Sequence, residues 1–300
     1  MLSIITDSAS DLPKWYIEAH NLHVIPTPVV IDDVDYFDGD TIQTKEFYDI
    51  LDDIKRDVRT YHINPDMFEK NFRPYAEAGD SVIYICFSTG IAGTFNAANI
   101  AKTNLLEEFP DFDLTIIDGK SASVGFGLIV ANLVLMKENG ADKETLIKAA
   151  DYFIKHIRIV FTVHTLAYLI KGGRLGKFKG AIAETLDMKP VLIVDEEGKL
   201  EVLKTVRGRK KAINTLIEYG EQYGYRFNEQ TVAICHGEDE EGLNLLQTAI
   251  KDKLNPKDFL ISVVGCAIGA HTGRGIVGFC FFDATMEPFA EYLKGDIVNK

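Results

Sequence analysis

Short apolar runs rich in β-branched residues recur along this chain, and each leads into a segment with helical spacing or into a loop. The runs LSIIT (2–6), HVIPTPVVI (23–31), SVIYICF (81–87), FDLTIID (112–118) and RIVFTV (158–163) have the length and residue types of strands. Strands interleaved with helices bury their apolar faces as an α/β sheet, so this alternation sets the expected fold class. Asn64 to Ala78 illustrates the helical half. Asn64 stands at an N-cap position, Pro65 at the first helical position, and Phe68, Phe72 and Tyr75 share one face. Residues 121–136, SASVGFGLIVANLVLM, are apolar nearly all round, which predicts a helix buried on every side with a first turn small enough for close approach.

The punctuation changes near residue 160. HTLAYLIKGGRLGKFKG (164–180) reads as a short helix followed by a glycine-rich basic stretch, and KPVLIVD and KLEVLKTV, separated by EEG, read as a β-hairpin. A helix over 209–223, a strand TVAICH, a helix over 240–251 and strands FLISVV and GIVGFCFF complete a second α/β unit. The expectation is two α/β domains, residues 1–160 and 161–300. A chain of 300 residues with 46% hydrophobic content is long and apolar enough to build both cores.

Composition excludes several functions. Cys86, Cys235, Cys266 and Cys280 are widely separated, form no C-x-x-C pair and sit mostly among apolar residues, which predicts buried thiols in a reducing, cytoplasmic setting. The opening MLSIITDSASDLP has no basic stretch followed by a long apolar one, so it signals neither secretion nor an anchor. A net charge of −13 argues against a general nucleic-acid binder.

Two glycine motifs invite nucleotide readings that fail on context. GRGIVG (273–278) leads into a strand where a dinucleotide site needs a helix. GGRLGK (172–177) has three residues rather than four between its glycines, and Phe178 stands where a magnesium-binding hydroxyl belongs. Asp7 and Asp11 flank a turn and a helix start, which points to capping, and no metal-ligand spacing accompanies them. In FSTGIAGTF (87–95) a strand ends at Phe87 and a helix begins near Gly93, so Ser88, Thr89 and Thr94 gather hydroxyls around free helix-terminal amides. That arrangement suits either an anion site or simple helix capping. His271, between two glycine-flanked turns before a strand, is expected to expose its imidazole at a sheet edge. Nine of the 32 basic residues fall in two short segments: Lys171, Arg174, Lys177 and Lys179, then Lys204, Arg207, Arg209, Lys210 and Lys211. They form either a docking surface or a solvated charged face.

Six ordered motifs together resemble the DegV family: TDSASDLP (6–13), FSTGIAGTFNAA (87–98), DGKSASVGFG (118–127), LAYLIKGGRLG (166–176), KTVRGRKKA (204–212) and IGAHTGRGIVG (268–278). The resemblance implies two α/β domains with a deep apolar tunnel between them, holding a long-chain fatty acid. It further implies a non-catalytic acyl-binding subunit, without a cofactor, that presents the ligand's carboxylate to a separate ATP-binding fatty-acid kinase subunit. On the same grounds Thr60, Ser88, Thr89, Thr94 and His271 are expected at the carboxylate. Arg174, Arg207 and Arg209 are expected at a mouth used by the kinase partner and by lipid head groups, with transient contact to a membrane surface. The chain departs from the family at TYHIN (60–64), where Tyr61, His62 and Ile63 replace serine, glutamine and proline, and at Arg274, which replaces proline. Two other readings stand beside this one. A lipid sensor or transport module would need no kinase, and a hydrolase built on Ser88 and His271 would lack a G-x-S-x-G elbow.

Overall fold

The computed structural model describes residues 1–53, 55–175 and 187–298. The first half runs β1 (Leu2–Asp7), α1 (Lys14–Ala19), β2 (His23–Ile25), β3 (Pro28–Ile31), β4 (Val34–Phe37), α2 (Thr44–Leu51), β5 (Val58–Thr60), α3 (Pro65–Ala78), β6 (Ser81–Cys86), α4 (Thr94–Glu108), β7 (Leu114–Asp118), α5 (Ser123–Glu138) and α6 (Lys143–His156). The second runs β8 (Ile157–Thr162), α7 (Ala167–Lys171), β9 (Met188–Val194), β10 (Leu200–Arg207), α8 (Arg209–Tyr223), β11 (Thr231–His236), α9 (Glu240–Lys253), β12 (Asp258–Val263), α10 (Cys266–Thr272) and β13 (Val277–Phe282).

Among the described residues the strands form three sheets: a parallel four-stranded sheet ordered β2-β1-β6-β7, a mixed six-stranded sheet ordered β10-β9-β8-β13-β11-β12, and a small antiparallel sheet ordered β4-β3-β5. This is the α/β class expected. Residue 160 lies inside β8, which pairs with β9 and β13 and so belongs wholly to the six-stranded sheet. The run 23–31, read above as one strand, divides in two. Pro26 has no N–H to offer a ladder, and the chain passes there from β2 in the four-stranded sheet to β3 in the small one.

Local chemistry accounts for the elements that matter most. In α3 the Asn64 side chain accepts from the Met67 amide at 2.9 Å, and Phe68 and Phe72 are fully buried. Helix α5 is buried at every residue from Ser123 to Met136 and packs into one core with residues of both large sheets, among them Ile83, Ile85, Ile159 and Cys280. Two glycines permit that position. A Cβ at Gly127 would lie 2.4 Å from the Ser10 carbonyl oxygen, and one at Gly125 would lie 2.6 Å from Ile159 Cδ1. Helix α5 is therefore wedged between the turn after β1 and strand β8.

The segment around His271 corrects the sequence reading. His271 lies not in a turn at a sheet edge but in the last turn of α10. That helix starts at Gly265, which has no capping side chain of its own, and two distant carboxylates cap it instead. Asp11 accepts from the Gly265 amide at 2.8 Å, and Asp38 accepts from the Cys266 and Ala267 amides at 2.9 and 3.1 Å.

Candidate functional site

Between the four-stranded and six-stranded sheets lies a cavity of about 890 Å³ of empty space, its open mouth included. Both halves of the chain supply its wall, with Phe87, Ile91, Ile159, Phe161, Leu169 and Ile268 making much of it apolar. Tyr61 and His62 line the cavity and are also exposed, so the mouth opens beside them.

Polar groups collect at this end. Thr60 is the last residue of β5, and its Oγ1 lies 2.6 Å from His271 Nε2. Burial first, then the Arg174 guanidinium, push the His271 pKa down to about 4, so the ring is neutral at neutral pH. With its proton on Nε2, the ring donates to Thr60 and leaves the threonine hydroxyl proton free for a ligand oxygen. His271 Nδ1 is buried without a partner among the described residues, and Gly172 packs against it so closely that a Cβ there would sit 2.0 Å away. Arg174 itself lines the cavity, partly buried. Thr94, the first residue of α4, is 4% exposed and also lines it.

The other predicted contacts are placed elsewhere. Ser88 is fully buried; its hydroxyl donates to the Gly198 carbonyl at 2.7 Å and accepts from the Gly90 amide at 3.0 Å. It thus ties the turn after β6 to the tip of the β9–β10 hairpin. The Thr89 hydroxyl donates to Asp118 at 2.5 Å, and its amide donates to the same carboxylate at 3.1 Å. Neither residue lines the cavity. Arg207 is exposed on β10, whereas Arg209 is partly buried and paired with Asp239; neither lines the cavity. Lys177 and Lys179 fall outside the described residues. Arg274 points away from the cavity, to Asp49 at 3.0 Å and Asp52 at 2.8 Å on and just after α2, with its guanidinium over the Tyr48 ring.

Sequence reasoning missed His62 and the second role of the aspartates. His62 carried a readable signal, since two residues on from Thr60 in extended chain returns a side chain to the same face. Asp11 and Asp38 carried none, because the helix start they cap lies more than 200 positions away. Asp7 lines the cavity and accepts from the Tyr84 hydroxyl at 2.7 Å and the Ala9 amide at 3.1 Å; burial pushes its pKa up to about 6. Burial likewise raises Asp38, and Asp11 well above the usual carboxylate range. Asp11 and Asp38 hold the start of α10, and α10 carries His271 to the cavity at its other end.

Comparison with known proteins fits this architecture. The family described as "Uncharacterised protein, DegV family" matches residues 1–284. A DegV domain-containing protein of Clostridium perfringens is 33% identical over 289 residues, covering 95% of this chain and 98% of the relative. A DegV family protein from Thermus thermophilus, whose structure is described as showing fatty acid binding, superposes with a TM-score of 0.84 at 26% identity, covering 94% of this chain and 99% of the other. A stearic acid-binding protein from Eubacterium ventriosum superposes with a TM-score of 0.83 at 29% identity, over 93% and 97% of the two chains. With a family match over nearly its whole length and the same fold in solved relatives, the chain belongs to the DegV family.

Proposed function

We propose that this protein holds a long-chain fatty acid in the cavity between its two large sheets, and that it presents the carboxylate, at the Thr60–His271 end, to a separate ATP-dependent fatty-acid kinase subunit. The observation that carries the reading is an apolar cavity whose polar end consists of hydroxyls, a neutral imidazole and one guanidinium. Burial contributes about 0.8 kcal/mol per methylene, so a chain of roughly 16 carbons supplies on the order of 12 kcal/mol before ordering costs. The head group then needs orientation more than affinity. Hydroxyl and neutral imidazole contacts, each worth about 1 kcal/mol net, orient a carboxylate, and the partly buried Arg174 on the cavity wall adds a cation beside them. An acid that must still react is suited by such a site.

In this reading the protein is itself non-catalytic, works in the cytoplasm, and takes its chemistry from the partner. The four cysteines are free and buried, which suits a reducing compartment. Exposed Arg207 would offer charge to the partner or to a lipid surface. A hydrolase built on Ser88 and His271 is disfavoured, because the Ser88 hydroxyl is spent on Gly198 and the ring on Thr60. A lipid carrier without a kinase remains the second reading, and it predicts the same uptake.

The test has two steps. Delipidated protein should take up one equivalent of palmitate or oleate in native mass spectrometry, and no uptake sinks both readings. The loaded protein, mixed with the ATP-binding kinase subunit of the same organism and ATP, should then yield acyl phosphate. Uptake without phosphorylation leaves the carrier reading.

A further inference from the structure

Most polar side chains around the cavity's polar end are already engaged. Thr60 and His271 pair with each other, the Thr60 proton staying open to a ligand, Ser88 and Thr89 serve Gly198 and Asp118, Ser123 donates to Asp11, and Tyr61 bonds to Asp35. Of the lining side chains without a hydrogen bond among the described residues, the Thr94 hydroxyl and the His62 imidazole sit together. The His62 ring lies over Gly93, with its atoms 3.4–3.6 Å from where a Cβ on that glycine would be, and Gly93 immediately precedes Thr94.

The backbone there adds donors. Helix α4 is 15 residues long and its N-cap, Gly93, has no side chain to cap it. Its first intrahelical bond runs from the Ala97 amide to the Gly93 carbonyl at 3.2 Å, which leaves the amides of Thr94, Phe95 and Asn96 without intrahelical acceptors. The positive end of the helix dipole lies at the same point. The unpartnered hydroxyl of a residue only 4% exposed, uncapped amides and an imidazole at the mouth are together the donor set an anion requires.

We propose that His62, with Thr94 and the first turn of α4, receives the anionic head group of the bound acyl lipid and makes this chain prefer a free acid to a neutral lipid of equal length. The inference rests on the fatty-acid reading and assigns its specificity to a residue that the motif pattern left aside. Thr60 and His271 then flank the head group, and His62 closes over it from the mouth.

The experiment uses the delipidated full chain and two probes, palmitate and 1-hexadecanol, which share a 16-carbon tail. His62→Gln should weaken palmitate about tenfold, as expected for loss of one charge-assisted hydrogen bond, and leave hexadecanol unchanged. Thr94→Val should act in the same direction. The carboxyl resonance of [1-13C]palmitate should shift between wild type and His62→Gln, and the His62 ring signals of wild type should move on palmitate addition. Unchanged palmitate affinity in His62→Gln, parallel loss of both probes, or unmoved His62 signals would each overturn the proposal while leaving fatty-acid binding intact. Wild-type protein that binds neither probe would instead overturn the fatty-acid reading, and this inference with it.

Discussion

At the scale of single residues, the site is governed by how two buried groups titrate in opposite senses. The His271 pKa falls from 6.5 to about 4 on folding, so between those values the unfolded chain binds more protons than the native one. Its contribution to stability is therefore complete above about pH 6.5 and is lost as pH falls toward 4. The Asp7 pKa rises from 3.8 to about 6, so its contribution is present below 3.8 and is lost as pH rises through 6. Over pH 4–6 the two slopes oppose each other, and wild-type stability should vary little on their account. His271→Gln should remove the opposing slope, so that relative to wild type stability falls more steeply as pH rises across that window. Asp7→Asn should shift the slope the other way, toward rising stability relative to wild type, because Asp11 and Asp38, raised by burial in both proteins, keep their own falling slopes. Urea unfolding at a series of pH values checks both signs, and slopes that do not diverge between the two variants would count against this assignment. Thr60→Val tests the pair itself: with the Nε2 partner removed and Nδ1 already unpartnered, the variant should lose about 1–3 kcal/mol of stability.

At the scale of elements, α5 is fixed by its glycines, and the two differ in what they face. Gly127 faces the Ser10 backbone oxygen, which cannot yield without moving the turn after β1. Gly125 faces the end of the Ile159 side chain and the Cys280 sulfur, which have more room to adjust. Gly127→Ala should therefore cost about 1–3 kcal/mol despite the better helix propensity of alanine, and Gly125→Ala less. Thermal unfolding ranks them, and the reverse order would refute the wedge geometry. Helix α5 was also the element most legible in the sequence, because a stretch apolar on all sides has few places to go. Strands β9 and β10 were legible as well, since their pairing is local. Helix α10 was not, because its seven residues take their caps from Asp11 and Asp38, and no local pattern announces a cap more than 200 residues distant. The partners of Ser88 and Thr89 were hidden for a related reason. Their hydroxyls looked free in the chain, but the hairpin tip at Gly198 and the end of β7 at Asp118 reach them only in the fold.

At the scale of the whole molecule, the cavity is a place where the two sheets fail to pack against each other, and a bound acyl chain would make up the missing contact. A ligand that binds only the native state adds about 2.7 kcal/mol at 100 times its Kd, which should raise the melting temperature by several degrees. Leu200 tests whether the chain lies where proposed. It stands at the start of β10, lines the cavity and is only partly buried, so a larger side chain can turn inward without disturbing a packed core. Leu200→Trp should leave the unliganded protein about as stable as wild type or slightly more so, because it fills empty apolar space. It should also abolish the melting shift produced by palmitate. A variant that keeps the full shift would mean that the lipid lies elsewhere, whereas one that loses stability in the unliganded state would mean that this wall is already close-packed.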